Sequence, residues 1–196
     1  MKNISYANRG SALEQFIIFS AQRYQAVGEA FIQKVPTEFI PLRNAYGQIC
    51  NVKVEHQATV DFLGRYKAHP IAIEAKNTNS GTMRFDAVQP NQARDMDAFT
   101  AEPGTIGLVL VSFNLEKFYT VPWAFWGAAY DLRVRRNDKT TPKTIKAHGQ
   151  EWQIPQKFSF RPEDLLQEWQ VPGNHRTYGL HFLQNAERHI KREEQP

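Results

Sequence analysis

The sequence predicts an α/β (α+β) domain with a central mixed β-sheet flanked by helices. Three observations carry this. An amphipathic helical pattern lies near the N-terminus, and several short alternating segments read as strands. Residues 105–113 form a nearly continuous apolar run, as expected of a strand covered on both faces. Strands interleaved with helices pack as layers around one core.

The elements follow in order. A helix is expected over residues 11–27. Ser11 would be its N-cap, Glu14 stands at capping-box spacing, and Gly28 is a stop signal. Leu13, Phe16, Ile17 and Tyr24 recur near helical spacing. Residues 31–40 read as a strand interrupted at Pro36, and residues 48–57 alternate as a second strand. Asn44-Ala-Tyr-Gly47 supplies turn chemistry between them, so residues 38–57 are expected to form a β-hairpin projecting from the body. Further strands are expected at 59–63, 71–76, 105–113 and 117–121, with a turn over 64–70. Helices are expected at 89–99, with Pro90 in the first turn, at 123–130 after Pro122, and at 163–169. The residues from Thr177 onward read as an exposed amphipathic helix. Residues 1–174 are taken as one domain and 175–196 as a helical tail.

The 196 residues suffice for one domain with a real core. The net charge of +4 permits an anionic partner without demanding one. Residues 131–148 hold six basic and two acidic side chains, a surplus equal to the net charge of the whole chain. Such a block is either a solvated loop or a nucleic-acid contact. One cysteine, Cys50, excludes an internal disulfide and a cysteine-based zinc cluster. No run approaches a membrane span, and the first 20 residues lack a secretory pattern. The expected compartment is the reducing cytoplasm.

The chemistry concentrates between Thr59 and Lys76. Asp61 lies on one expected strand, and the next ends Glu74-Ala75-Lys76. Side chains alternate along a strand, so Glu74 and Lys76 share a face. If the two strands pair, Asp61 lies beside Glu74. Adjacent carboxylates repel unless a cation lies between them, and hard oxygen ligands suit Mg²⁺ or Mn²⁺. Lys76 would then stand where it can act on an attacking water or on charge developing at a phosphate. The same residues also read as a surface salt bridge on a sheet edge.

This arrangement, Asp61…Glu74-x-Lys76, resembles the PD-(D/E)xK nuclease superfamily, with Val60 where a proline is usual. The resemblance narrows to the RecU-type Holliday junction resolvases. It is carried by Asn8-Arg9-Gly10 with Leu13-Glu14, by Gln33-Lys34-Val35-Pro36-Thr37, and by Thr59-Val-Asp61-Phe-Leu-Gly64. Ile73-Glu-Ala-Lys76, Asn91-Gln92-Ala-Arg-Asp-Met96 (asparagine replacing the family's histidine), Phe118-Tyr-Thr-Val-Pro122 and Lys146-Ala-His-Gly149…Ile154-Pro155 extend it. It spans about residues 8–171.

The resemblance implies a restriction-endonuclease-like fold and metal ligands at Thr59, Asp61, Glu74 and Gln92. It makes Lys76 the transition-state stabiliser and places Glu14 in the same site. Taken alone, Glu14 is equally a capping residue, Thr59 a β-former and Gln92 a surface residue, with Gln89 its rival. The implied cofactor is Mg²⁺, with Mn²⁺ as a substitute. The implied activity is paired, symmetrical nicking of four-way DNA by a homodimer whose hairpin, with Arg43, Tyr46, Lys53 and His56, enters the junction. Arg9, Lys34, Arg43, Lys53, Arg133, Arg135 and Arg136 are the expected DNA contacts. Trp123, Trp126, Trp152 and Trp169 are expected in the core or a dimer interface. Two alternatives stay open: another nuclease of the superfamily acting on flaps or duplex, and a non-catalytic junction-binding accessory protein.

Overall fold

The computed structural model describes residues 6–36, 38–56, 60–147, 149–172, 179–184 and 186–189. Helix α1 (Tyr6–Ala26) leads into β1 (Ala30–Lys34), then β2 (Glu38–Arg43) and β3 (Ile49–His56). Strands β4 (Phe62–Tyr66), β5 (His69–Thr78) and β6 (Met83–Arg84) precede α2 (Pro90–Phe99). Strands β7 (Ile106–Phe113) and β8 (Lys117–Pro122) follow, then α3 (Trp123–Tyr130), β9 (Lys143–Ala147), β10 (Gln150–Ile154) and β11 (Ser159–Phe160).

The main sheet has five strands in the order β1-β4-β5-β7-β8. The central β5–β7 pair is parallel, joined by a crossover through α2, and the other pairs are antiparallel. This is the expected mixed sheet. Alternation along β5 sends Ile71 and Ile73 to one face, against Leu13, Ile17 and Ala21 of α1. Ala72 goes to the other, against Met96 of α2 and Trp123 and Trp126 of α3. Every residue of β7 is buried, which explains its continuous apolar run. All four tryptophans lie in the core on the α2–α3 side.

Strands β2 and β3 pair only with each other, as a separate antiparallel ribbon. Gly64 has a packing reason to be glycine: a Cβ there would lie 2.0 Å from the Phe31 carbonyl oxygen on β1.

Several expectations are corrected. Ser11 is not an N-cap, because α1 already runs from Tyr6 and nothing between Tyr6 and Gly10 breaks it. The β4–β5 turn is confined to Lys67 and Ala68, since Gly64–Tyr66 pair with β5 as strand. Residues 163–169 hold two 3₁₀ turns, Pro162–Asp164 and Gln167–Trp169, in place of one helix. The basic block is largely ordered: α3 continues into a π-helical turn, Asp131–Arg135, and β9 and β10 form a hairpin. Among the described residues after Thr177 the chain does not form an exposed helix. Leu180, Phe182, Leu183 and Ala186 are buried in the cluster that holds α1, and the regular piece there is a 3₁₀ turn, Ala186–His189. Their apolar side chains find more surface to bury against α1 than an isolated helix face offers.

Candidate active site

The site forms where β4 and β5 stop pairing. The ladder ends at Phe62↔Ile73, which sets Asp61 opposite Glu74. The Asp61 carboxylate continues the ladder, its Oδ2 accepting the Ala75 N–H at 2.8 Å. One side chain thus replaces a backbone acceptor and is fixed in orientation. Asp61 is further held through its own carbonyl, which accepts the Val35 N–H at 2.9 Å.

Glu74 faces the α2 side of the sheet and is fully buried, 0% exposed. Among the described residues, neither carboxylate oxygen receives a hydrogen bond of standard geometry. Lys76 Nζ stands 2.6 Å from Glu74 Oε1, a close ion pair. Burial pushes the Glu74 carboxyl up to about 8; the Lys76 ammonium pulls it down, and the Asp61 charge pushes it up.

Lys76 is also held from the helix. Its Nζ donates to Gln92 Oε1 at 3.1 Å, and the same oxygen accepts the Gln89 N–H at 3.0 Å. Gln89 and Gln92 form a capping box with Pro90 at the start of α2. The two glutamines are therefore not rivals. Gln89 caps the helix, and Gln92 closes the box while steering Lys76. The Gln92 oxygen serves both donors and is thereby oriented beside Lys76. The Gln89-x-x-Gln92 spacing was a readable cue for this.

A group missed from sequence holds α2 in place. Asp97 accepts Trp123 Nε1–H at 2.9 Å through Oδ1 and Arg135 Nη2–H at 2.7 Å through Oδ2. This ties the helix that steers Lys76 to α3 and the turn after it. Nothing local in the sequence marks a contact between residues so far apart in the chain.

Among the described residues no three His, Cys, Asp or Glu side chains converge on one point. The site offers two carboxylates, Asp61 and Glu74. Buried carboxylate oxygens without hydrogen-bond donors, beside a second carboxylate, are a donor set that fits a hard divalent cation. Such ions often use one or two protein carboxylates and fill their remaining positions with water or phosphate.

The other expected residues fall as follows. Glu14 pairs with Lys34 at the end of β1, where Lys34 stands opposite Phe62, the residue after Asp61. Arg43 sits at the hairpin turn, donating to Gly47 O at 2.7 Å. Arg135 pairs with Asp97, and Arg136 with Asp131 at 2.8 Å. Arg133 is corrected. Its guanidinium is 0% exposed and donates to the carbonyls of Pro155, Asp138 and Thr141, so it cannot meet a phosphate. It is a fastener for the segment between α3 and the β9–β10 hairpin. Thr59 lies outside the described residues, and for Arg9 and Lys53 only the backbone is described.

A mixed sheet whose central strand carries a buried glutamate and a lysine beside a strand-end aspartate is the arrangement of the PD-(D/E)xK nucleases. The chain belongs to the RecU family, recombination protein U, whose family model matches residues 8–161. Similar curated proteins are each named Holliday junction resolvase RecU. The Streptococcus sanguinis protein is 28% identical over 172 residues, covering 84% of this chain and 85% of the relative. The Staphylococcus saprophyticus protein is 27% identical over 166 residues, covering 81% and 78%. The Streptococcus equi subsp. equi protein is 30% identical over 127 residues, covering 62% and 63%.

Proposed function

We propose that this chain is a structure-selective endonuclease that resolves four-way DNA junctions by paired, symmetrical nicks, with Mg²⁺ as cofactor and Mn²⁺ as a substitute. The observation that carries the reading is the Asp61–Glu74–Lys76 cluster, within a chain that matches the RecU family over most of its length. Asp61 and Glu74 would hold the cation, with Thr59 and Gln92 further candidate ligands by resemblance. A divalent cation so held supplies Lewis acidity and an acidified water.

The chain's own residues do the rest. Asp61, pinned by the Ala75 N–H, keeps one carboxylate in a set orientation. Lys76, drawn between Glu74 and Gln92, holds a positive charge where negative charge grows on the scissile phosphate. The Glu14–Lys34 ion pair ties α1 to the end of β1, beside the strand that leads from Asp61. Arg9, Lys34, Arg43, Lys53, Arg135 and Arg136 are the proposed backbone contacts.

The working unit is a homodimer in the cytoplasm. A four-way junction has two-fold symmetry, and a two-fold dimer sets two sites on opposite strands. The nuclease domain spans residues 1–174, with the hairpin at 38–57, and is completed by Leu180, Phe182, Leu183 and Ala186 from the 175–196 segment. No helix among the described residues is long and apolar enough to cross a membrane.

The test is purified protein on synthetic four-way junction, flap and linear duplex, with and without Mg²⁺. Symmetrical nicks on the junction, lost in Asp61→Ala, are expected. No junction cleavage with any divalent cation, or equal cleavage of duplex, overturns the reading.

A further inference from the structure

Helix α2 begins with a donor left open. Pro90, its first residue, has no N–H to satisfy. The Gln92 N–H donates to the Gln89 side chain, and the Ala93 N–H donates to Gln89 O at 2.8 Å. The Gln89 N–H is taken by Gln92 Oε1 at 3.0 Å. Among the described residues this leaves the Asn91 N–H as the unpaired donor of the first turn. The half-buried Asn91 side chain has no hydrogen-bond partner there either. Two open donor groups therefore sit on one residue, at the positive end of the helix.

An open helix start alone says nothing about a ligand, but two further observations do. The first is Glu74, which is 0% exposed and whose oxygens receive no hydrogen bond of standard geometry among the described residues. Lys76 Nζ joins it to the helix start, standing 2.6 Å from Glu74 Oε1 and 3.1 Å from Gln92 Oε1. Asn91 is thus the chain neighbour of the residue that steers Lys76. The second is charge. The first turn of α2 carries no acidic residue, although one there would favour the helix. Gln89, Asn91 and Gln92 are all neutral amides, and none of them repels an anion. Arg94 lies three residues after Asn91, on the same helix face, with its side chain 73% exposed. Its Nε donates to Asp95 Oδ1 at 3.1 Å, which offsets that carboxylate. Both Arg94 Nη groups lack a partner among the described residues. On a nucleic-acid strand, the anion nearest a phosphate held at Lys76 is the next phosphate along.

We propose that Asn91, through its N–H and its Nδ2–H, holds the phosphate next to the scissile one, with Arg94 supplying positive charge beside it. The contact sets the register of the cut strand against Lys76. This rests on the nuclease reading above and adds to it a substrate-positioning residue.

The experiment measures single-turnover cleavage of a synthetic four-way junction at saturating protein with Mg²⁺, alongside thermal melts in EDTA. Asn91→Ala should cut roughly tenfold more slowly, the scale of a small misplacement near the chemistry. Asn91→Asp separates function from helix stability. A carboxylate at this helix end is favourable, so the variant should melt at or above the wild-type temperature. It should nevertheless cut more slowly than Asn91→Ala, because it repels the phosphate. A methylphosphonate in place of each phosphate flanking the cut, one at a time, removes that charge. On one side it should slow the wild-type protein and slow Asn91→Ala no further. Wild-type cleavage by Asn91→Asp, or neutral linkages that slow both proteins by equal factors, overturns the contact. A lowered melting temperature in Asn91→Asp also overturns it, because the residue then serves the helix alone. Each of these outcomes leaves the nuclease reading standing. A wild-type protein that cuts no junction with any divalent cation removes that reading, and this proposal with it.

Discussion

Glu74 shows function set against stability at a single residue. It is fully buried, its oxygens receive no standard hydrogen bond among the described residues, and the Lys76 ammonium beside it is shared with Gln92. Burying a carboxylate this way is unfavourable unless it serves a ligand. In the folded protein its carboxyl is pushed up to about 8, against an ordinary value of 4.5. Between those two values the unfolded chain has released the proton while the folded one keeps it, so stability falls as pH rises. Above about 8 both forms are ionised and the dependence ends. With chelator present, wild-type thermal stability should therefore fall from pH 5 to 8, and Glu74→Gln should show a flatter profile. The variant should gain on the order of a few kcal/mol at the alkaline end and lose cleavage. Thermal melts in EDTA across pH check this. Equal pH profiles for the two proteins would contradict it.

The elements aim the site, and two contacts matter most. The first is the close approach of β1 and β4, which holds Asp61 between Val35 and Ala75. Gly64 allows it, so Gly64→Val should separate the strands and cost about 3 kcal/mol or more. Urea denaturation would show the lowered midpoint. An unchanged midpoint would mean the strands are held apart from this contact. The second is the clamp on α2 through Asp97, Trp123 and Arg135. Asp97→Ala should loosen the helix that steers Lys76. Cleavage should drop about tenfold while junction binding holds within a few-fold, because a small misplacement near the chemistry is enough. Parallel cleavage and binding assays would separate this from a general folding defect.

At the scale of the whole molecule, the sheet has two covered faces, and the C-terminal segment completes one of them. Ser20 Oγ accepts the Leu180 N–H at 2.7 Å, and Tyr24 stacks edge-on to Phe182 at 5.4 Å. The segment therefore braces the helix that carries Glu14. Phe182→Ala should destabilise the protein by about 3–5 kcal/mol, as for other large-to-small core changes. Calorimetry would read this directly, and a variant as stable as wild type would show that the segment only lies on the surface.

Much of this was legible in the sequence for local reasons. Alternation in residues 71–76, the apolar run of β7, Pro122 before α3 and the turn chemistry of Asn44–Gly47 act over a few residues and read through. Asp61, Glu74 and Lys76 were legible as a set because strand periodicity puts Glu74 and Lys76 on one face, and the short β4–β5 connection brings Asp61 alongside. Burial was not legible. Arg133 and Arg136 are three residues apart in one basic block, yet one is enclosed by three carbonyls and the other is exposed beside Asp131. The Asp97–Trp123–Arg135 clamp and the docking of Leu180–Ala186 on α1 join residues distant in sequence, and no local pattern encodes such contacts. Local pattern is enough to read the mixed α/β class, the succession of most strands and helices, and the candidate Asp61, Glu74 and Lys76 set. Which charges face solvent, what holds Lys76 in place, and the burial of Leu180, Phe182, Leu183 and Ala186 emerge from the folded packing. Desolvation and long-range packing act between residues that are neighbours only after the chain has folded.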